Sequence, residues 1–115
     1  MADFKINSQK LQNNVILINV KGFLDAYTYG ELEQAINDFF GQHLYKFIVD
    51  LSQVDYISSA GAGVFIGAIG LSQENGGNIV IIRPKPNVKE VFDLLGLSQI
   101  FTIANSMESA LKVFK

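Results

Sequence analysis

The sequence predicts an α/β domain with a mixed β-sheet of about five strands and about four helices. β-rich apolar runs alternate along the chain with segments whose apolar residues recur at helical spacing. Strands that are separated by helices are joined by crossover connections and are therefore expected to be parallel. A short turn between the first two strands predicts that this pair is antiparallel, so the sheet is mixed. At 115 residues, the chain is expected to form one domain over 1–115.

The first half of the chain is predicted to contain three strands and one helix. Alternating and apolar runs predict the strands, and a run that is apolar on both faces indicates an interior strand. Thr28 and Glu31 have the spacing of a capping box at the start of the helix. The predicted elements are strands over 3–8, 15–20 and 46–51 and a helix over 29–40.

The second half continues the alternation, giving the order β-β-α-β-α-β-α-β-α. Asn87 with Glu90, and Asn105 with Glu108, have capping spacing and predict the starts of two helices. The predicted elements are helices over 61–73, 87–95 and 107–114 and strands over 78–82 and 100–103.

The composition excludes several classes of function. Hydrophobic residues make up 49% of the chain and charged residues 17%, with a net charge of -2, so neither a disordered chain nor an electrostatic nucleic-acid binder fits. Cysteine is absent and His43 is the single histidine. With these counts the chain has too few metal ligands and histidines to favour a zinc site or a histidine-dependent catalytic triad, and no cofactor is expected.

An uncharged stretch runs from Tyr56 to Gln73. Its continuous apolar part, 60–71, is shorter than the roughly 20 residues that cross a bilayer, so we expect a buried helix and no membrane insertion. The N-terminal residues show no cationic region followed by an apolar one, which favours a cytoplasmic location.

The glycines of this stretch do not form a nucleotide fingerprint. Gly61, Gly63 and Gly67 lack the dinucleotide spacing, and Arg83 stands where an acid is needed after the following strand. No Gly-Lys-Ser/Thr sequence is present, which excludes a P-loop. Close packing of a helix against the sheet is the favoured explanation of the four glycines of this stretch, which are Gly61, Gly63, Gly67 and Gly70.

Ser58 and Ser59 stand at the predicted start of the glycine-rich helix. One of them is expected to be its N-cap, and the absence of a nearby base or a G-x-S-x-G elbow argues against a hydrolase. A phosphorylated serine needs no catalytic partner within the domain. A helix N-terminus favours the added anion, so this pair is a candidate modification site.

Three acids fall near predicted strand ends: Asp25, Asp50 and Asp55. Without histidine, isolated carboxylates usually cap turns or helices, so a metal site is disfavoured. Tyr27 and Tyr56 lie close in sequence to Asp25 and to the serines, and are candidates for an apolar contact rim around them.

The segment 47–63, Phe-Ile-Val-Asp-Leu-Ser-Gln-Val-Asp-Tyr-Ile-Ser-Ser-Ala-Gly-Ala-Gly, closely resembles the signature of STAS domains. The likeness is to the small anti-sigma factor antagonists of bacteria, and it spans nearly the whole chain. Gly22-Phe23-Leu24-Asp25, with Thr28 following, matches an earlier element of the family. The residues Val88, Phe92, Leu95, Gly96 and Leu97 match its third helix and the exit from it.

The resemblance implies a non-enzymatic switch controlled by phosphorylation. By position Ser59 is the phosphoacceptor, and Ser58, which replaces the family's acid, is a second candidate acceptor. Unphosphorylated, the chain would bind an anti-sigma factor that is a serine kinase and free a sigma factor, and a PP2C-type phosphatase would reset it. The expected partner-binding residues are Asp25, Tyr27, Thr28, Tyr56, Ser58, Ser59, Ala60 and Gly61.

Two other functions stay open from the sequence. A STAS-like domain could act without phosphorylation as an accessory or scaffold subunit of a transport or signalling assembly. Alternatively, the glycine-rich turn could serve a small-ligand or nucleotide sensor.

Overall fold

A computed structural model describes residues 3–115, and it confirms the predicted α/β class with five strands and four helices. The strands are β1 (Lys5–Lys10), β2 (Val15–Leu24), β3 (Lys46–Ile57), β4 (Asn78–Ile82) and β5 (Thr102–Ala104). The α-helices are α1 (Tyr29–Gly41), α2 (Ser59–Glu74), α3 (Pro86–Leu94) and α4 (Met107–Lys112). Met1 and Ala2, part of the N-terminal segment assessed for a signal sequence, lie outside the described residues.

The five strands form one sheet in the order β1-β2-β3-β4-β5. β1 pairs with β2 antiparallel, and every other neighbouring pair is parallel. The sheet is therefore mixed, as predicted, because a short turn joins β1 to β2 while the later strands are joined by crossovers containing helices.

Helices cover the two faces of the sheet unequally. The larger apolar cluster joins α1, α2 and α3 to one face, through buried residues such as Leu32, Phe65 and Phe92. The smaller cluster lies on the opposite face, where Ala110 of α4 packs with Ile48 and other strand residues. Since α4 has only six residues, part of this second face stays uncovered.

Several predicted boundaries are wrong by a few residues. β1 lies two residues later than predicted, and β5 begins after a short 3-10 turn at Leu97–Gln99 rather than at Ile100. β3 continues past Leu51 to Ile57, because it stays paired with β2 across two register shifts, at each of which β3 has one residue more than β2. The uncharged helix α2 begins at Ser59, two residues before the first glycine.

Two predicted capping pairs, those led by Asn87 and Asn105, are also wrong. The side-chain amide of Asn87 donates to the backbone oxygen of Asp55 at 2.8 Å, and α3 begins at Pro86, whose fixed φ suits the first helical position. The hydroxyl of Ser106, not the side chain of Asn105, caps α4. Capping spacing alone cannot choose between neighbouring residues that are both able to cap.

The glycines of α2 divide into two kinds. A Cβ atom at Gly61 would collide with the backbone oxygen of Leu24, so this glycine does allow α2 to approach the sheet closely, as predicted. A Cβ atom at Gly63, Gly67 or Gly70 would have no neighbour within 4 Å. The packing explanation is therefore wrong for these three positions.

This difference predicts opposite effects of two alanine substitutions in one helix. Gly61→Ala should lower the free energy of unfolding by about 1–3 kcal/mol, because the methyl group must displace the Leu24 backbone. Gly63→Ala, the matched control, should raise it by roughly 0.5–1 kcal/mol through helix propensity. Urea unfolding followed by circular dichroism measures both. Equal effects of the two substitutions would contradict the close contact at Gly61.

Candidate functional site

The candidate site forms where β2 and β3 end side by side and α2 begins. Leu24 pairs with Ile57 at the end of the parallel register. The next residue, Ser58, donates its backbone N–H to the Leu24 oxygen at 3.0 Å. Because Gly61 also packs against this oxygen, the end of β2 fixes the position of the first turn of α2.

Ser58 is the N-cap of α2, as expected for one serine of the pair. Its hydroxyl accepts from the backbone N–H of Gly61 at 3.1 Å, and its side chain is only partly exposed. This hydrogen bond satisfies one of the backbone donors that the first turn of a helix leaves unpaired. The hydroxyl of Ser58 is therefore already engaged in holding the helix.

Ser59 is the first residue of α2 and is exposed, as is Ala60. Gly61 is buried beneath them, so its contribution to the site is structural. Further backbone N–H groups of this turn and the positive end of the helix dipole favour an anion here. Of the two serines, Ser59 presents the more accessible hydroxyl to a modifying enzyme.

A turn over 25–28 follows β2 directly and is held by its own side chains. The Thr28 hydroxyl donates to the Phe23 backbone oxygen at 2.7 Å and accepts from the Asp25 N–H at 2.9 Å. A carboxylate oxygen of Asp25 accepts from the Tyr27 N–H at 2.9 Å. Thr28 therefore caps the turn, and the predicted capping box between Thr28 and Glu31 is wrong.

Tyr27 stands at the tip of this turn with 96% of its surface exposed. The hydrogen bond from its backbone N–H to Asp25 holds the backbone of Tyr27 in place, while the ring projects into solvent. Large aromatic side chains held in this way are frequent anchors of protein interfaces. The structure therefore leaves Tyr27 free to enter a pocket on another protein.

Phe23 and Tyr56 form an aromatic pair at the same edge of the sheet. Their ring centroids lie 5.9 Å apart in an edge-to-face arrangement, and the two rings are 43% and 49% exposed. Sequence reasoning identified Tyr56 and missed Phe23. The register of β2 and β3, in which these residues are partners, is the signal that would have found it.

We call the exposed side chains of Phe23, Tyr27, Tyr56 and Ser59 the serine surface. The strand register and the Ser58–Leu24 hydrogen bond connect the segments that carry them. Phe23 and Tyr56 come directly before Leu24 and Ile57, the last residues of β2 and β3, and Ser59 follows that edge. The serine surface therefore combines three exposed aromatic side chains with one exposed serine hydroxyl, and its four side chains carry no formal charge.

The three acids singled out in the sequence have separate structural partners. Asp25 holds its turn, whereas Asp55 pairs with Lys85, which immediately precedes α3. Asp50 is buried on β3 and accepts from Arg83 at 2.6 Å. Among residues 3–115, no group of three acids or histidines is arranged to hold a metal ion.

The pKa of Asp50 reflects opposing influences. Burial of the carboxyl raises its pKa, but hydrogen bonds from Ser52 and Arg83, together with the Arg83 charge, outweigh burial and hold the pKa below its usual value. Asp50 therefore stays ionised at neutral pH, and its charge is balanced by Arg83.

Within the part of the chain that the structure describes, no helix is long and apolar enough to cross a membrane. The uncharged helix α2 has 16 residues, and seven of them, including Phe65, are buried inside the domain.

The curated relatives carry the names of regulatory proteins. A Bordetella bronchiseptica protein provisionally named anti-sigma factor antagonist BtrV is 40% identical over 70 residues, which are 61% of this chain and 60% of that protein. The anti-sigma-B factor antagonist of Staphylococcus epidermidis is 29% identical over 91 residues, 79% of this chain and 84% of that protein.

A solved structure shares the fold. The anti-sigma factor antagonist SpoIIAA of Bacillus in its unphosphorylated form aligns with a TM-score of 0.82 at 20% identity, covering 95% of this chain and 96% of SpoIIAA. The family model described as the STAS domain matches residues 6–110, nearly the whole chain. This chain therefore belongs to the STAS domain family.

Proposed function

We propose that the chain is an anti-sigma factor antagonist whose binding is switched by phosphorylation of Ser59. The observation that carries the proposal is the exposed Ser59 at the N-terminus of α2, directly after the strand ends that carry the exposed aromatic residues Phe23 and Tyr56. Unphosphorylated, the chain binds an anti-sigma factor that is a serine kinase and so frees a sigma factor in the bacterial cytoplasm. The names of its relatives support this assignment.

The N-terminus of α2 suits both states of the switch. A phosphoserine carries about -1.5 to -2 charges at neutral pH and three strong acceptor oxygens. Backbone N–H groups of the first turn and the helix dipole stabilise that charge, so no refolding is needed to accommodate the phosphate. Hydrolysis by a PP2C-type phosphatase returns the same surface to its neutral state.

The serine surface explains how one phosphate prevents binding. Phe23, Tyr27 and Tyr56 offer apolar area whose burial against a partner is favourable. A phosphate on Ser59 brings a strongly hydrated charge among these rings, and docking would then require its desolvation. The chain itself does no chemistry in this scheme, because the kinase and the phosphatase supply it.

The assignment of Ser59 predicts a single phosphorylation. Incubation with ATP and the anti-sigma factor kinase of the chain's own organism should add one phosphate, and Ser59→Ala should abolish it. Ser8→Ala, which removes an exposed serine on β1, is the matched control and should leave phosphorylation unchanged. Intact mass and peptide fragmentation measure the outcome.

Ser58→Ala separates the two candidate acceptors. This variant should lose the N-cap and about 1 kcal/mol of stability yet still accept phosphate on Ser59. Phosphate found only on Ser58 would contradict the assignment. A chain that binds its partner but accepts no phosphate on either serine would favour the scaffold function instead.

The serine surface makes a second prediction, about affinity. Tyr27→Ala should weaken binding of the unphosphorylated chain to the anti-sigma factor by about tenfold or more, since loss of a buried aromatic anchor costs about 1.4 kcal/mol or more. Its unfolding free energy should not change, because the ring is almost fully exposed.

Leu94→Ala is the matched control for Tyr27→Ala. Leu94 is 78% exposed, but it ends α3, far along that helix from the strand edge where α3 begins, and its removal should leave affinity unchanged. Isothermal titration calorimetry measures both variants. Equal loss of affinity in the two would show that the serine surface is not the contact.

A further inference from the structure

A strip of polar side chains crosses three strands on the sheet face that α4 only partly covers. Asn7 of β1 is the register partner of Asn19 of β2, and Asn19 is the partner of Asp50 of β3. Neighbouring strands lie about 4.8 Å apart, so the three side chains are contiguous. Ile48, two residues before Asp50 on the same strand, belongs to the apolar cluster beneath α4.

β3 bulges beside this strip and leaves a cavity. Asn19 pairs with Asp50 and Lys21 with Gln53, so β3 carries one residue more than β2 between these pairs. The extra residue lets the Ser52 N–H donate to an Asp50 carboxylate oxygen at 2.9 Å. The resulting cavity has a volume of about 230 Å³ and is lined by Asn7, Asn19, Val20, Asp50, Ser52 and Gln53.

The lining side chains keep hydrogen-bonding capacity for a ligand. Asp50 is 7% exposed, and each of its oxygens, although engaged by Ser52 or Arg83, can accept one further bond. Within residues 3–115, the side-chain amides that hydrogen-bond to other protein groups belong to Gln34, Gln73, Asn75, Asn78 and Asn87. The three amides of the cavity are not among them.

Two lysines lie two residues along β1 and β2 from asparagines that line the cavity, on the same face of the sheet. Lys5 and Lys21 are register partners, as are Asn7 and Asn19. Each lysine is two residues from the asparagine on its strand, which corresponds to about 6.8 Å between their Cα atoms. Like charges directly opposite each other are unfavourable. In residues 3–115 the ion pairs are made by Arg83, Lys85, Lys89 and Lys112. An anionic ligand would therefore relieve the repulsion between Lys5 and Lys21.

We propose that this cavity binds a small polyhydroxylated anion of the sugar phosphate class. The side-chain amides and the Ser52 hydroxyl can donate to and accept from sugar hydroxyls, and the Asp50 carboxylate can accept from them. Lys5 and Lys21 would attract the phosphate. None of the six described residues that line the cavity is aromatic, so these residues offer no stacking surface for a nucleobase. Its volume lies below the roughly 300–1,000 Å³ of clefts for drug-sized ligands, which suits a ligand of this size.

Calorimetric titration of the full chain with ribose 5-phosphate tests the proposal. Ribose 5-phosphate should bind about tenfold or more tightly than either ribose or inorganic phosphate, because it engages both the strip and the lysines. Asn19→Ala should weaken binding about tenfold and Lys21→Gln about threefold, through loss of a hydrogen bond and of a charge. Lys112→Gln, which removes the same charge on α4, should change nothing.

NMR spectra of the wild-type chain test the proposal without a substitution, and they decide it if Asn19→Ala does not fold. In NMR spectra of the wild-type chain, ribose 5-phosphate should shift the side-chain amide signals of Asn7, Asn19 and Gln53, while the Asn87 signal stays in place. Ser59→Ala should bind ribose 5-phosphate as wild type does, so this proposal and the phosphorylation switch can fail separately. Absence of binding at millimolar concentration, or phosphate alone binding as tightly as ribose 5-phosphate, would overturn the proposal.

Discussion

The contact between the end of β2 and the first turn of α2 determines the geometry of the site. The Leu24 oxygen accepts from the Ser58 N–H, and a side chain at position 61 would collide with the same oxygen. The cap at Ser58 can form only because the chain turns from β3 into α2 at this point. Ser59 is thereby held at the surface, beyond the ends of β2 and β3.

The same contact joins the site to the rest of the fold. Leu24 is itself buried and is followed at once by the Asp25–Thr28 turn that presents Tyr27. An added phosphate would consequently appear at a fixed place, next to the strand ends and the turn that carry the aromatic residues. In the proposed function this rigidity lets a partner detect a single charge, because the uncharged stretch from Tyr56 to Gln73 contributes no competing one.

Much of the fold could be predicted from the sequence because its signals are local. The run 78–82 predicts β4 with its observed bounds, because it is short, β-rich and largely apolar. The position of the serine pair before an apolar helix predicts that one of the two is the N-cap. The capping pair led by Asn87 failed because that side chain reaches Asp55 on β3, a tertiary contact that local spacing does not contain. The pair led by Thr28 failed because its hydroxyl bonds within the turn that follows β2, and the pair led by Asn105 failed because the neighbouring Ser106 caps α4.

The residues of the candidate site also differ in whether local sequence predicts them. Ser59, Tyr27 and Tyr56 could be selected because they lie close in sequence to a motif. Phe23 and the polar strip required the register of three strands, including an irregularity in the pairing of β3 that no local pattern predicts. The glycines of α2 were over-interpreted. Their pattern suggested close packing at four positions, but at three of them a Cβ atom would have no neighbour within 4 Å.

The proposed switch makes the affinity of the chain for its anti-sigma factor depend on one phosphate on Ser59, and titration before and after phosphorylation measures this dependence. The chain is phosphorylated to one phosphate per molecule, purified and titrated by calorimetry beside the unmodified chain. Phosphorylation should weaken binding by about tenfold or more, equivalent to about 1.4 kcal/mol or more. Equal affinities of the two forms would contradict the proposed switch.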